Sequence, residues 1–224
     1  MMRKPTAEER AAIGAAVHAA EAGTSGEIVT IVADHSDSYH DVGLQYAVLA
    51  ALLVPLIFAA LPDFPLGIVE RLSGGWGSFE MRELMLITFA AMTALFLIVR
   101  YGLAYMPLRL RLTPKATRRR RVRRRAIELF KVGTEARTAG RTGILIYLSL
   151  GEHMAEIIGD EAIHTRVPDA EWGDAMAALI KEVRQGKIAA GMIAAVGHVG
   201  HLLAQHLPRA DDDSNELPDR LIEL

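Results

Sequence analysis

The sequence predicts an α/β domain interrupted after its first strand by a two-helix transmembrane hairpin. Three observations predict it. Residues 42–62 are 21 positions without a charge, bounded by Asp41 and Asp63; at about 1.5 Å per helical residue they reach the roughly 30 Å of a bilayer core. Residues 84–99 add 16 uncharged positions, and a second span extends to about residue 106 once Arg100 snorkels to the headgroups. Finally, two short runs rich in β-branched residues, EIVTIVA at 27–33 and GILIYLS at 143–149, stand on either side of the hairpin and read as buried strands.

In order along the chain, Thr6 and Glu9 have capping-box spacing, and Ile13 and Val17 start the apolar stripe of a helix that runs to about Glu21 and is ended by Gly23. Ser25 and Gly26 turn into the first strand, completing the first part of the domain, residues 1–40. The hairpin occupies 41–112. Its connecting loop carries Pro62, Pro65, Gly67, Gly74, Gly75 and Gly77, one surface-lying turn near 68–72, and Trp76 and Phe79 as interface aromatics. Thr113 and Pro114 supply an N-cap and first-turn proline for a helix running to about Glu135, with Val122, Ala126, Leu129 and Phe130 on one face. Strands at 143–149 and 154–158, joined by 150–153, form an antiparallel hairpin. Pro168 and Asp169 open a helix whose Trp172, Met176, Leu179, Ile180 and Val183 share a stripe, ended by Gly186. A last apolar helix, 188–207, contains Gly191, Gly197 and Gly200. Residues 113–208 are thus the second part of the domain, and 209–224 an acidic, flexible tail. Two antiparallel helices bring the chain back to within roughly 10 Å of where it left, so the domain tolerates the excursion and is expected directly on the inner membrane face.

The net charge of −2 conceals a segregation: residues 100–125 carry eleven positive charges and no acid, leaving −13 elsewhere. Lys and Arg close to a span are retained in the cytoplasm. The loop between the spans holds only Arg71 and Arg82, whereas Arg3, Lys4 and Arg10 precede the first span and the eleven follow the second. Both termini are therefore expected in the cytoplasm. The basic start leads into an acidic segment and not an apolar core, so the first span is read as its own insertion signal. With no cysteine, disulfides, thiolate metal sites and cysteine nucleophiles are excluded.

TSGEIVTIVA at 24–33, TGILIYLSLGEHMAEIIGD at 142–160, residues 167–172 and NELP at 215–218 stand in an order that resembles the TPM domain family, named after a thylakoid acid phosphatase, a photosystem II assembly protein and a receptor auxiliary protein. More narrowly, the chain resembles a bacterial membrane-protein branch with two spans inserted after the first strand. The resemblance covers 6–34 and 115–220. It implies a small αβα sandwich with a short sheet, binding of calcium or another divalent cation in some members, and phosphatase activity in a few.

Arg118, Arg119, Arg120, Arg121, Arg123, Arg124 and Arg125 surround the whole helix circumference. They are read as a topology determinant and anchor to anionic lipids, each contributing about 1 kcal/mol near the surface. No base-reading motif or stacking aromatic accompanies them, so no nucleic acid is expected. Glu27, Glu152, Glu156 and Asp160 lie on strands and strand ends, where carboxylates from separate segments meet around a hard cation such as calcium or magnesium; no EF-hand spacing is present. The tail acids Asp211, Asp212, Asp213, Glu216 and Asp219, with Asn215, have suitable oxygens but read as solvated. His198 and His201, spaced i, i+3, with His206 beyond, lack an HExxH pattern, and His153 with Glu152 are the only further ligands for zinc. Ser25 and Ser149 lack a G-x-S-x-G surround, and Gly23, Gly26 and Gly140 form no phosphate loop.

The functional expectation is an accessory protein of the bacterial inner membrane, two-pass with both termini cytoplasmic, that binds a membrane-protein partner and assists assembly or maintenance of a complex. The alternative is a metal-dependent acid phosphatase or related hydrolase. Transport is disfavoured because neither span carries a central ionisable residue.

Overall fold

The computed structural model describes residues 3–72, 81–135, 142–168, 171–209, 217 and 219–224. In chain order its elements are α1 (Ala7–Glu21), β1 (Glu27–Ala33), α2 (His40–Ala60), α3 (Asp63–Leu72), α4 (Met81–Gly102), α5 (Met106–Leu112) and α6 (Lys115–Phe130), the last continued by a π-helical turn, Lys131–Glu135. After these come β2 (Gly143–Ser149), β3 (Met154–Gly159), α7 (Glu161–His164), α8 (Trp172–Val183), α9 (Ile188–His206) and β4 (Ile222–Glu223). Two units result: Met1–Asp37 with Lys115–Leu224, and Ser38–Pro114.

The first unit is an α/β sandwich. Its sheet has the order β3-β2-β1-β4, with β1 parallel to both β2 and β4, and β3 antiparallel to β2. Every residue of β1 and β2 is buried, as expected of strands covered on both faces. The two-residue period of the strands sorts their side chains. Ile28, Val32, Ile144, Ile146 and Leu148 pack with α1, α8 and α9, whereas Val29, Ile31, Leu145 and Tyr147 pack with Val122, Ala126 and Phe130 of α6. The capping box forms: Thr6 N–H donates to Glu9 at 2.6 Å and Glu9 N–H to Thr6 Oγ1 at 3.2 Å.

The glycines of α9 differ in kind. A Cβ at Gly200 would lie 2.5 Å from Ala20 Cβ, and one at Gly191 would lie 2.9 Å from Leu179 O. Both mark close packing, against α1 and α8. Gly197 faces open space.

In the second unit α2 and α4 pack together. Tyr39, Val42 and Leu110 form a small buried cluster with Met106 against it. Buried Arg109 donates to Ser38 O at 2.6 Å and Ala104 O at 2.8 Å, and reaches His40 Nδ1 at 3.0 Å. This arginine serves the backbone of its own unit.

Four expectations are corrected. The second apolar helix ends at Gly102, not 106, because Pro107 stands at the start of α5, where its fixed φ and missing N–H are tolerated. Thr113 is the C-cap of α5 and not an N-cap: Pro114 holds it extended at ψ 124°, and its hydroxyl donates to Arg109 O at 2.8 Å. The short helix α7 precedes α8, which begins at Trp172, not at 168. The end of the supposed flexible tail is a strand, with Ile31 opposite Ile222 and Val32 opposite Glu223. Gly74, Gly75, Trp76, Gly77, Phe79, Gly140, Asp169, Asp211, Asp212, Asp213, Asn215, Glu216 and Pro218 lie outside the described residues.

Candidate functional site

In open α/β sheets, ligands bind beyond the C-terminal ends of parallel strands, and here the ends of β1 and β2 carry a polar cluster. Glu152, 2% exposed, sits in the turn after β2. Its Oε1 accepts the Ser36 N–H at 2.9 Å, and its Oε2 accepts a very short hydrogen bond from the Ser149 hydroxyl. The Ser36 hydroxyl meets Tyr147 OH at 2.9 Å. Burial pushes the Tyr147 phenol up, with Glu152 adding to the rise while hydrogen bonds from Ser36 and Ser149 and the charge of Arg125 oppose it. A side chain at Gly151 would strike the His35 imidazole, so glycine there lets the two strand exits close on each other. Beside the cluster Asp37 accepts from Arg121 at 3.1 Å and from Arg124 at 3.3 Å. A serine beside a carboxylate is the pairing of a nucleophile and its base, but Ser149 is fully buried. The arrangement is a latch between β1 and β2.

The four acids expected to meet around a cation are placed apart. Glu27 and Asp160 flank Gly143 at the opposite end of β2 from Glu152, where they accept the N–H groups of Leu217 at 3.3 Å and Gly143 at 3.1 Å. Glu156 stands mid-strand on the α6 side of the sheet, between Met154 and Ile158. Burial pushes its carboxyl up, and Arg123 and Arg119 pull it down. Among the described residues no three His, Asp or Glu side chains gather to hold a metal. Three of the four acids already serve backbone or hydroxyl donors: Glu27, Glu152 and Asp160.

A different carboxylate group joins α1 to the C-terminal segment. Glu21 accepts the Ile28 N–H at 2.6 Å through Oε1, while its buried Oε2 finds no donor. Burial, then the nearby charges of Glu27 and Asp219, push Glu21 up to about 8. Held protonated in this way, Glu21 stabilises the fold; Asp219, which adds to the rise, also holds His18 Nδ1 at 2.7 Å. Because the folded value lies above the ordinary 4.5, the stabilisation is complete below about 4.5 and is lost as pH rises through about 8. Thermal melts between these limits should therefore fall in midpoint, and Glu21→Gln should flatten that fall; equal slopes for the two proteins would refute Glu21 as the group that titrates.

Along the outer side of β3 runs a groove of about 590 Å³, walled by Met176, Ile180 and Arg184 on one side and Arg119 on the other, with His153 and Glu156 from the strand region. His153 occupies the left-handed region, φ 53°.

Residues 112–202 match the family model described as the TPM domain. The chain carries a TPM-domain segment. No curated protein matches it. Among solved structures, the BA42 protein of the psychrophilic bacterium Bizionia argentinensis, determined by NMR, is similar at a TM-score of 0.57 and 19% identity. The match covers 100% of this chain and 98% of that one, and at this identity it shows the α/β fold alone.

The TPM-domain segment contains α6, β2, β3, α7 and α8, and hence Glu152, Glu156, Asp160 and the seven arginines. Their companions Ser36, Asp37 and Glu27 come from before the excursion. The seven arginines are not equivalent. Arg121 and Arg124 hold Asp37, Arg124 and Arg125 reach Glu128 at 3.6 Å, and Arg119 and Arg123 act on Glu156. Arg120 and Arg123 are exposed, and Arg118 has a buried Nε with no hydrogen-bond partner. His198 and His201 are exposed on α9, with His201 against Gln205 at 3.1 Å, while His206 reaches Glu171 at 3.4 Å. Sequence reasoning missed Ser36, Asp37 and Tyr147; the available signal was their position within or just after the two runs read as buried strands.

Proposed function

We propose that this chain is a membrane-anchored accessory protein of the bacterial inner membrane: α2 and α4 anchor it, and its α/β unit binds a protein partner to assist assembly or maintenance of a membrane complex. The observation that carries this reading is the exposure of α2 and α4. They are 21 and 22 residues long, α4 has no buried residue, and Leu56, Phe89 and Ile98 are 62%, 70% and 67% exposed. Apolar surface on that scale is costly in water at about 25 cal/mol per Å² and is suited to lipid. Among the described residues three helices are long and apolar enough to cross a bilayer. The third, α9, buries Met192, Val196, Val199 and Leu203 in the core of the α/β unit, so the proposal uses two. The eleven basic residues that follow at 100–125 favour cytoplasmic termini, and anionic lipids are the natural counter-charge of exposed members such as Arg111, Lys115 and Arg120.

Removal of Ser38–Pro114 tests the anchoring. Asp37 is tied to Arg121, which lies about 9 Å along α6 from Lys115, so a short polar linker closes the gap. The shortened protein is expected to stay folded, to remain in the supernatant after alkaline extraction of membranes, and to recover the same partner that the full chain recovers from solubilised membranes. Membrane retention of the shortened protein would refute the anchoring role; failure of the full chain to recover any reproducible partner would refute the accessory role.

A further inference from the structure

We propose that the groove beside β3 receives an extended segment of a partner protein in which apolar and acidic residues alternate, added to the sheet as a further strand. The proposal rests on the accessory reading and names its docking surface. β3 ends the sheet order, and no described strand pairs with its outer side. Asp160 N–H donates inward to Gly143 O at 3.0 Å, so the alternation of an antiparallel ladder turns the backbone groups of Ala155, Ile157 and Gly159 outward. These are the donors and acceptors that strand addition uses, with pockets for alternate side chains giving specificity.

The two walls of the groove differ in chemistry. On the α8 side Met176 and Ile180 offer apolar surface, and Ile180 is 37% exposed although it neighbours the fully buried Leu179. On the α6 side stands Arg119, with Arg123 near enough to act on Glu156. Arg184 adds a second guanidinium to the rim. An added strand sends successive side chains to opposite faces. One set therefore meets Met176 and Ile180, with Arg184 at their rim, and the other meets Arg119. Arg119 and Arg123 outnumber Glu156 on that face, so basic segments meet net like charge and acidic ones are matched. Glu156, an ionisable group in the middle of an edge strand, is a device that discourages indiscriminate pairing and leaves the match to the arginines.

The test uses the full chain in nanodiscs of neutral lipid and a fluorescent peptide of about eight residues alternating valine and glutamate. Saturable binding is expected, with a valine-lysine peptide weaker by about tenfold or more. Arg119→Glu combined with Arg184→Glu should weaken the valine-glutamate peptide by a similar factor without altering the melting temperature. Ala155→Pro, which removes one outward N–H at an edge position where proline is tolerated, should weaken both peptides. Equal affinity for the two peptides, or binding unaffected by the double reversal, overturns the proposal. Competition by anionic vesicles would assign the arginines to lipid headgroups, and a self-associated chain that the peptide fails to dissociate would assign the edge to a second copy; either overturns it. If no peptide binds while the full chain still recovers a partner, the groove is refuted and the accessory reading stands.

Discussion

Gly200→Val is expected to destabilise the α/β unit by about 3 kcal/mol or more, at the upper end of what overpacking costs. The backbone of α9 approaches α1 so closely that even a Cβ would lie 2.5 Å from Ala20 Cβ and 3.1 Å from its Cα. Neither helix is free to withdraw. Ile13 and Val17 of α1 are 0% and 1% exposed against the core, and Val196, Val199 and Leu203 of α9 are fully buried. The same helix supplies the control. At Gly197 an added methyl meets nothing within 4 Å, so Gly197→Ala should gain up to about 1 kcal/mol of helix propensity. Urea denaturation of the two variants beside the parent measures both; a Gly200→Val protein as stable as the parent would show that the α1–α9 contact yields.

Glu152→Ala is expected to cost roughly 2–5 kcal/mol, because two donors lose their acceptor at once. The Ser149 hydroxyl is fully buried, and the Ser36 N–H is part-buried with Glu152 as its acceptor. Glu152→Gln keeps the shape and one carbonyl oxygen, and the serine hydroxyl is free to rotate and accept, so this variant should lose about 1 kcal/mol. The ordering Ala far below Gln separates a latch from a mere surface acid. Thermal denaturation of the two variants reads the difference, and equal midpoints would remove Glu152 from the account of how β1 and β2 are held.

Much of the sheet was legible because its strands are short, apolar and β-branched. EIVTIVA and GILIYLS coincide with β1 and β2 residue for residue, since strands buried on both faces leave no polar position to blur their limits. β4 was not legible: two residues between Leu221 and Leu224 make too short a pattern to register, and they are strand only because Ile31 and Val32 of β1 lie alongside. The capping box of α1 could be read from Thr6 and Glu9 alone, being local. The ends of α4 and α5 could not, because a run of apolar residues continues through the break at Leu103 and Ala104. The candidate acids show the same division. Glu152 was singled out correctly as a strand-end carboxylate, but its partner Ser36 stands 116 residues away, and nothing local says which end of the sheet each acid occupies. Glu21 was passed over as an ordinary helix-end acid; its pairing with Asp219 depends on where the C-terminal segment returns.

The separation of β1 from β2 bears on how the chain is made. Translation proceeds at about 5–20 residues per second, so β1 emerges many seconds before its parallel partner exists. During that interval a strand with all seven residues destined for burial has no sheet to join, and both long apolar helices leave the ribosome ahead of α6. The α/β unit therefore completes itself only after both long helices have been synthesised. A ribosome stalled before residue 143 should carry β1 in a protease-sensitive state, held open for the second half of its own domain.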